Sequence, residues 1–350
     1  MSLERAHLKS QTWLRTAIAA LVLLALFAWL WQFRAAALLR HETAGRVVSR
    51  APLVATEGAP AWLVPLYSTL NYLNMTWETT LAALLIAGTL QTFLSAPLLR
   101  VLKTQTGWRA YLAGIAFGIP NLFCTCCAAP VFASLYQKGT SLGTALATFI
   151  TAPSLNFAVV LLALALLPPQ LALARIGLGL VAVFAVPYLA AKISGAAPPP
   201  LVDTRPEDQP TDWVEIGRAW VHNIWELTRL ALPLLIFGYL LIGILQVLVP
   251  LGSLAPILGN GLAPIVIAAL IGTIIMVPTF SEIALVTALV PLGMGVGPAV
   301  ALLITAPAVS LPSLIVVGRV TRSWRIPLAL AVLIFLLGAA GGLIFSMIGG

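Results

Sequence analysis

Residues 141–167 read SLGTALATFITAPSLNFAVVLLALALL and contain no aspartate, glutamate, lysine, arginine or histidine. The stretch is long enough to cross the hydrocarbon core of a bilayer, which takes roughly 20 apolar residues. Lipid offers no hydrogen-bond partners to an exposed backbone, so an apolar span of this kind is helical. Pro153 interrupts its centre and removes one helical hydrogen bond. The stretch therefore predicts a membrane helix with a break in its middle.

The composition of the whole chain points the same way. Of its 350 residues, 60% are hydrophobic and 9% are charged, whereas a soluble domain carries roughly 25% charged residues. This excludes cytosolic enzymes, secreted disulfide scaffolds and nucleic-acid-binding proteins. The net charge of +8 is ascribed to basic residues that flank membrane spans, since nearly all charges fall in connectors or at span ends. We expect a polytopic protein surrounded by the lipid bilayer, with no nucleic-acid partner and no cofactor.

Nine hydrophobic segments are predicted along the chain, and all of them are expected to be helical. The first is longer than the apolar core of a signal peptide and is interpreted as a retained anchor span. The segments cover residues 13–33, 79–99, 110–137, 141–167, 171–193, 229–250, 262–290, 296–317 and 326–348.

A proline-rich acidic linker at residues 195–212 divides the chain near its middle, since such a composition forms no core. A shift of 154 residues superimposes the two halves, placing ITAP at 150–153 on ITAP at 304–307 and Gly118 on Gly272. Apolar composition alone is the alternative explanation, but the matches stay in one register. We expect an all-α membrane protein with an N-terminal anchor span and connector (1–60), a first transmembrane repeat (61–194), the linker (195–212) and a second transmembrane repeat (213–350).

Proline residues mark where helices are expected to break. Transporters are often built from two repeats, parallel or inverted, whose broken helices meet near the membrane midplane. Pro153 and Pro307 occupy equivalent positions, and each is expected to open its helix four residues back, around Phe149 and Leu303. A plain proline kink is the alternative interpretation. The expected helix breaks lie at Pro120, Pro130, Pro153, Pro278, Pro307 and Pro312.

Glu282 is the only aspartate, glutamate, lysine, arginine or histidine between Leu230 and Gly318. A carboxylate inside a membrane is costly and marks function by default. Pro278 and Ser281 precede it, so it is expected near the start of a half-helix, whose positive dipole end stabilises an anion. Its possible roles are a proton carrier for coupled transport, a cation ligand or a structural cap.

The three cysteines of the chain, Cys124, Cys126 and Cys127, lie in one apolar stretch. The shift of 154 residues places Cys127 on Ser281 and Ala128 on Glu282, so the thiols and the acid occupy equivalent places. Thiolates bind soft species such as Cu(I), zinc and trivalent metalloids. The spacing is not that of a structural zinc site. A transient soft-ligand site, a redox pair and small buried apolar side chains are the three interpretations.

Polar side chains near the breaks complete the expected substrate site, because carbonyls freed at a break need partners. Thr151, Ser154 and Asn156 are the candidates in the first half. The expected substrate-binding set is Cys124, Cys126, Cys127, Asn121, Thr151, Ser154, Asn156, Ser281, Thr305 and Ser310.

Several short motifs resemble a known family. They are CTCCAAP at 124–130, TAPSLN at 151–156, VPTFSE at 277–282 and SLPSL at 310–314. Over roughly residues 75–345 the chain resembles the predicted permeases of bacteria and archaea that carry a cysteine-rich motif. The resemblance implies a multi-pass permease of the plasma (inner) membrane. A related branch exports trivalent organoarsenicals and is thought to use cysteine thiols, which implies a role for Cys124, Cys126 and Cys127. Many relatives have glycine at the position of Cys127.

The preferred interpretation is a secondary transporter that exports a small thiophilic solute, such as a trivalent arsenical or another soft metal(loid). No GxxxxGK[ST] motif is present, so ATP is not the internal energy source and Glu282 is expected to couple transport to protons. One alternative is a transmembrane thiol–disulfide conduit that uses the cysteines, and another is a transporter of an anionic or sulfur-containing solute. A hydrolase built on Ser281 and Glu282 lacks a neighbouring base, so no enzyme activity is expected. Assembly into a homo-oligomer stays open.

Overall fold

The computed structural model describes residues 17–18, 20–26, 28–29, 32, 53–55, 58–93, 108–121, 123–195, 212–248, 259, 261–275, 281–290 and 293–348. Within these ranges the chain forms helices and no strand, which confirms the all-α prediction. The predicted N-terminal anchor and connector lie largely outside the described residues, and so does most of the linker at 195–212.

Twelve helices are described between Val64 and Ile348. The first six are α1 (Val64–Phe93), α2 (Trp108–Gly118), α3 (Thr125–Gln137), α4 (Leu142–Ser154), α5 (Phe157–Leu166) and α6 (Pro169–Ile193). The other six are α7 (Trp213–Leu248), α8 (Leu262–Ile274), α9 (Ser281–Leu289), α10 (Val296–Ala308), α11 (Leu311–Thr321) and α12 (Arg325–Ile348).

Four stretches are long and apolar enough to cross a membrane: Leu142–Leu166, Pro169–Ile193, Trp213–Leu241 and Arg325–Ile348. A fifth is added if α10 and α11, which are bent by 41° at their junction, form one span. A multi-pass helical membrane protein is therefore confirmed, while the number of nine segments stays a prediction. Four of the predicted segments each contain two helices in the structure: 110–137, 141–167, 262–290 and 296–317.

Several helix bounds of the two halves are related by an offset of 154 residues. Helix α4 covers 142–154 and α10 covers 296–308, so both ends differ by 154 residues. Helices α2 and α8 begin at Trp108 and Leu262, which are also 154 residues apart. The packing follows the same scheme, because α2 packs on α4 as α8 packs on α10, and α4 packs on α6 as α10 packs on α12.

The centre of the protein is made of three helices that are buried along nearly their whole length, α3, α4 and α10. Helices α6 and α12 instead leave large apolar side chains exposed, among them Phe184 and Leu336. Apolar faces of this kind suit lipid, and burial within protein is what allows interrupted helices at membrane depth. The helix interruptions of the central layer are therefore enclosed by protein.

The prolines affect the helices less than the sequence predicted. The predicted break at Pro130 is wrong, because α3 continues through it to Gln137. A proline there removes only the hydrogen bond to the carbonyl four residues back, and buried neighbours hold the helix. Helices α4 and α10 also do not open around Phe149 and Leu303. Each ends one residue after its proline, at Ser154 and Ala308.

Two more of the predicted breaks, Pro120 and Pro312, lie at helix ends. Pro120 lies in the turn after α2. Pro312 is the second residue of α11, where an N–H has no acceptor within the helix, so proline costs no helical hydrogen bond. Pro278 lies outside the described residues. Helix interruptions therefore fall at residues 155–156 and 309–310, directly after the prolines at 153 and 307.

Two glycines in equivalent positions allow the close approach of helices. A Cβ atom on Gly118 would lie 2.6 Å from the Cβ atom of Thr151, and a Cβ atom on Gly272 would overlap the hydroxyl of Thr305. Contacts this short force neighbouring atoms to move. Glycine at these positions therefore lets α2 approach α4 and α8 approach α10.

We expect Gly118→Ala to destabilise the folded chain by about 1–3 kcal/mol, because the added methyl group overpacks a buried helix contact. Thermal unfolding of the purified chain in detergent measures the effect. Gly177→Ala on α6 is the matched control, since nothing lies within 4 Å of its Cβ position. Equal melting temperatures for the two variants would contradict the close contact.

Candidate functional site

Two of the three cysteines face each other at the start of α3. The helix begins at Thr125 with Cys124 as its N-cap residue, so Cys126 and Cys127 lie in the first turn. The sulfur atoms of Cys124 and Cys127 are 3.1 Å apart, and both side chains are buried. Residues three apart share one helix face. The structure therefore pairs Cys124 with Cys127 as free thiols.

The third cysteine points to a different partner. The sulfur of Cys126 lies 3.6 Å from the hydroxyl oxygen of Ser310, and the hydroxyl of Thr125 donates to the same oxygen at 3.3 Å. Ser310 is the N-cap residue of α11 and belongs to the second half of the chain. Within the described ranges no three histidine, cysteine or acidic side chains converge on a metal position. Among the three predicted thiol ligands, the sulfur atoms of Cys124 and Cys127 are in contact, and the Cys126 thiol lies against Ser310.

Hydroxyl groups from α1 and α7 surround the thiol pair. The sulfur of Cys127 lies 3.6 Å from the Thr80 hydroxyl and 3.9 Å from the Thr79 hydroxyl. One turn earlier, Thr76 and Tyr239 share a hydrogen bond of 2.6 Å. The ring of Tyr239 stacks on Tyr72 with centroids 5.5 Å apart. The sequence analysis missed these residues, although threonines at 76, 79 and 80 fall on one helix face.

Glu282 forms a buried ion pair that the sequence analysis missed. It lies in the first turn of α9 and is 0% exposed. Its carboxylate oxygen Oε1 lies 3.6 Å from the Nη2 atom of Arg175 on α6, whose side chain is 1% exposed. The sequence places Arg175 at a span end, where an arginine extends to the membrane surface. Its burial could have been inferred from its position in the second turn of an apolar helix.

Arg175 also binds the end of the interrupted helix α4. Its Nη1 atom donates to the carbonyl of Ser154 at 2.7 Å, and Nη2 donates to the carbonyl of Pro153 at 3.4 Å. A cation is stabilised at a helix C-terminus by the dipole of the last turn. Arg175 therefore connects the interruption in the first half with the acid of the second half.

The polar residues at the two interruptions mostly cap helices. Asn156 accepts from the Val159 N–H at 2.9 Å, and Ser310 caps α11 with Ser313. The hydroxyls of Thr151 and Thr305 donate to carbonyls of their own helices, at 2.6 and 2.9 Å. These four predicted site residues are buried near the interruptions.

Three other predicted residues have less definite surroundings. Among the described residues the Ser154 hydroxyl and the Asn121 Oδ1 atom are buried without a hydrogen-bond partner, although the Asn121 amide donates to the Phe117 carbonyl. Ser281 is the first residue of α9. All of the predicted residues lie at helix ends near the centre of the chain's fold.

The site residues fall into two groups, each where one half of the chain crosses the other. In the first, α3 packs on α11, and the cysteines meet Ser310. In the second, α9 packs on α5, and Glu282 meets Arg175 beside the end of α4. The first joins the first turn of α3 to the N-cap of α11, and the second joins the first turn of α9 to Arg175 at the C-terminal end of α4. The first is called the thiol crossing and the second the charged crossing.

Interrupted helices whose buried ends carry polar groups, inside a multi-pass helical protein, are the construction typical of membrane permeases. The family described as "Predicted permease" (ArsP_1) matches the chain over residues 11–192 and 66–347. The chain belongs to this predicted permease family, which confirms the resemblance drawn from the motifs. Membership indicates a transporter rather than an enzyme.

Two relatives support the assignment. The UPF0718 protein YraQ of Escherichia coli (strain K12) is 32% identical over 271 residues, which cover 76% of this chain and 77% of that protein. The UPF0718 protein MJ0584 of Methanocaldococcus jannaschii is 34% identical over 102 residues, which cover 29% of this chain and 28% of that protein. No solved structure matches the chain significantly. The family thus includes bacterial and archaeal members.

Proposed function

We propose that this permease is a secondary transporter that exports a small thiophilic solute across the plasma membrane of a bacterium or archaeon. Trivalent arsenicals and soft metal ions are the proposed solute class. The observation that carries the proposal is the contact of 3.1 Å between the sulfur atoms of Cys124 and Cys127. Two thiols this close can bind one soft atom together, and soft sulfur ligands select this class of solute.

The thiol crossing suits a transport site because it joins both halves of the chain. Cys126 and Thr125 contact Ser310 of the second half, so a movement of one half against the other changes the surroundings of the thiols. Threonine hydroxyls from α1 complete the lining around Cys127. In this account the partners of the chain are the solute and the lipid bilayer.

The proposal includes two structural repeats, residues 61–194 and 213–350. The offset of 154 residues between both ends of α4 and α10 supports this division, as does the matching order of helix packing. Repeats with interrupted helices usually hold the solute where they meet, near the membrane midplane. The two crossings then occupy equivalent positions, one with thiols and one with charges.

We further propose that Glu282 couples export to protons. Its distance of 3.6 Å from Arg175 exceeds the roughly 2.7–2.9 Å of a charge-assisted hydrogen bond, so the ion pair is loose enough for a proton to compete. A proton on the carboxylate would dissolve the ion pair between the two halves. No ATP-binding motif is present in the chain to supply energy instead.

The experiment uses cells that lack their metalloid exporters. We expect the wild-type chain to raise survival and lower the accumulation of at least one solute among arsenite, trivalent methylarsenical, antimonite, copper and zinc. The double variant Cys124→Ser/Cys127→Ser, expressed to the same level, is expected to give no protection. Protection that persists in the double variant contradicts a thiol site. No protection by the wild type against any of them contradicts the solute class.

A thiol–disulfide conduit is the second candidate, and the same sulfur contact favours it. Oxidation of Cys124 and Cys127 to a disulfide would release two electrons and two protons to a disulfide or quinone acceptor. The chain has three cysteines in all, however, and the counterpart of Cys127 in the second half is Ser281. A second thiol pair to relay electrons is therefore missing. Alkylation that traps both thiols in the free state, in cells under oxidising and reducing conditions alike, favours export.

A further inference from the structure

The guanidinium group of Arg175 occupies a position where oxygen atoms from three residues converge. They are the carbonyl oxygens of Ser154 and Pro153, at 2.7 and 3.4 Å, and the Glu282 Oε1 atom at 3.6 Å. The side chains of Arg175 and Glu282 are almost fully buried. Carbonyls from an interrupted helix and an acidic side chain are the ligands that hold a coupling cation in many transporters. Hard cations such as Na⁺ prefer oxygen ligands of this kind.

The electrostatics of this position require a cation. The C-terminal end of α4 carries the partial negative charge of its helix dipole, and the Glu282 carboxylate adds a full negative charge. A buried charge without compensation is strongly unfavourable. Arg175 supplies the compensating charge. It belongs to α6, whereas the oxygen atoms belong to residues of α4 and α9.

The guanidinium group fills the position only loosely. Within the described residues its Nε atom has no hydrogen-bond partner, and neither has the buried hydroxyl of Ser154 beside it. A guanidinium has five N–H donors, and its strongest carboxylate contacts are bidentate. Here Nη1 and Nη2 donate to carbonyls, and Nη2 lies 3.6 Å from the carboxylate oxygen Oε1. A spherical cation therefore fits this position at least as well as the planar guanidinium group does.

The corresponding place in the other half has neither charge. A shift of 154 residues takes Arg175 to Ala329 and Glu282 back to Ala128. The two opposite charges are thus specific to one of the two crossings, and they do not follow from the way interrupted helices pack in this fold.

We propose that Pro153, Ser154 and Glu282 form a monovalent-cation site that the chain occupies with its own Arg175. The tethered guanidinium takes the place of an inorganic ion, so the wild-type protein needs no Na⁺ at this position. A neutral residue at 175 opens the site to a small cation such as Na⁺ or Li⁺. The inference depends on the contacts of the charged crossing and on no transported solute.

The test is thermal unfolding of the full purified chain in detergent, in NaCl, LiCl or KCl against choline chloride at equal ionic strength. Arg175→Ala is expected to melt below the wild type in choline. Its melting temperature is expected to rise saturably with Na⁺ or Li⁺, by about 4 °C at a hundredfold excess over the dissociation constant. The wild type is expected to melt at the same temperature in all four salts.

Two further variants make the result specific. Arg175→Ala/Glu282→Gln lacks the anionic ligand and is expected to show no cation-dependent rise. Arg229→Ala removes an arginine from an exposed ion pair with Glu226 on α7 and serves as the matched control. If Arg175→Ala does not fold, Arg175→Gln carries the same measurement.

Two results overturn the proposal. One is a melting temperature of the position-175 variants that is equal in Na⁺, Li⁺, K⁺ and choline. The other is a saturable rise of the wild-type melting temperature with Na⁺, which would mean that an inorganic cation binds although Arg175 is present. The unfolding experiment contains no transported solute, so neither result decides whether the protein exports a thiophilic solute.

Discussion

Arg175→Met is expected to destabilise the folded chain by about 3–5 kcal/mol, because it leaves Glu282 as a buried charge without its partner. Glu282→Leu is expected to have a similar effect, since it leaves the buried guanidinium uncompensated. The double variant Arg175→Met/Glu282→Leu is expected to recover most of the loss, because two apolar side chains of similar volume replace the ion pair. The melting temperatures of the three variants measure the coupling.

The control is the exposed pair Arg229 and Glu226, whose charged atoms lie 3.8 Å apart with both side chains more than half exposed. Its removal by Arg229→Ala is expected to change stability by less than about 1 kcal/mol, because solvent screens such pairs. A double variant whose destabilisation equals the sum of the single variants would show that Arg175 and Glu282 do not interact.

Cys124→Ser and Cys127→Ser are each expected to weaken the binding of a trivalent arsenical by on the order of 100-fold, a loss of about 3 kcal/mol. Each variant removes one of the two sulfur atoms that lie 3.1 Å apart. Cys126→Ser is expected to weaken binding by less than about threefold, because its thiol lies against Ser310. Titration of the purified chain, followed by tryptophan fluorescence, gives the dissociation constants.

The three single variants distinguish a site of two thiols from the site of three thiols that the sequence predicts. The sequence places all three cysteines in one soft-ligand site, and in the structure the contact of 3.1 Å joins Cys124 and Cys127. Equal weakening in all three variants would restore the three-thiol site, and no weakening in any would remove the thiols from the binding site altogether.

The fold was largely predictable because its signals are local. An apolar stretch such as 141–167 identifies a membrane helix by length alone. The prolines at 153 and 307 locate the two interruptions within a few residues, since each acts on its own helix. Asn156 and Ser310 lie at the interruptions, where both cap the following helix. Pro130 was misplaced as a break because the packing around α3 holds the helix together.

The charged crossing was not predictable in the same way. Arg175 and Glu282 lie far apart in the chain, and only the packing of the two halves brings them together. Hydropathy assigns an arginine near a span end to the membrane surface, so the sequence does not identify its partner. The threonines that line the thiol pair were missed for the same reason, because their partner lies on another helix.

Transport of a thiophilic solute by the Cys124–Cys127 pair can be measured as flux into liposomes that contain the purified chain. The flux of a trivalent arsenical is compared for the wild type, Cys124→Ser/Cys127→Ser and empty liposomes. We predict a wild-type flux well above that of empty liposomes and a double-variant flux equal to theirs. A double variant that transports as fast as the wild type would contradict transport by this pair.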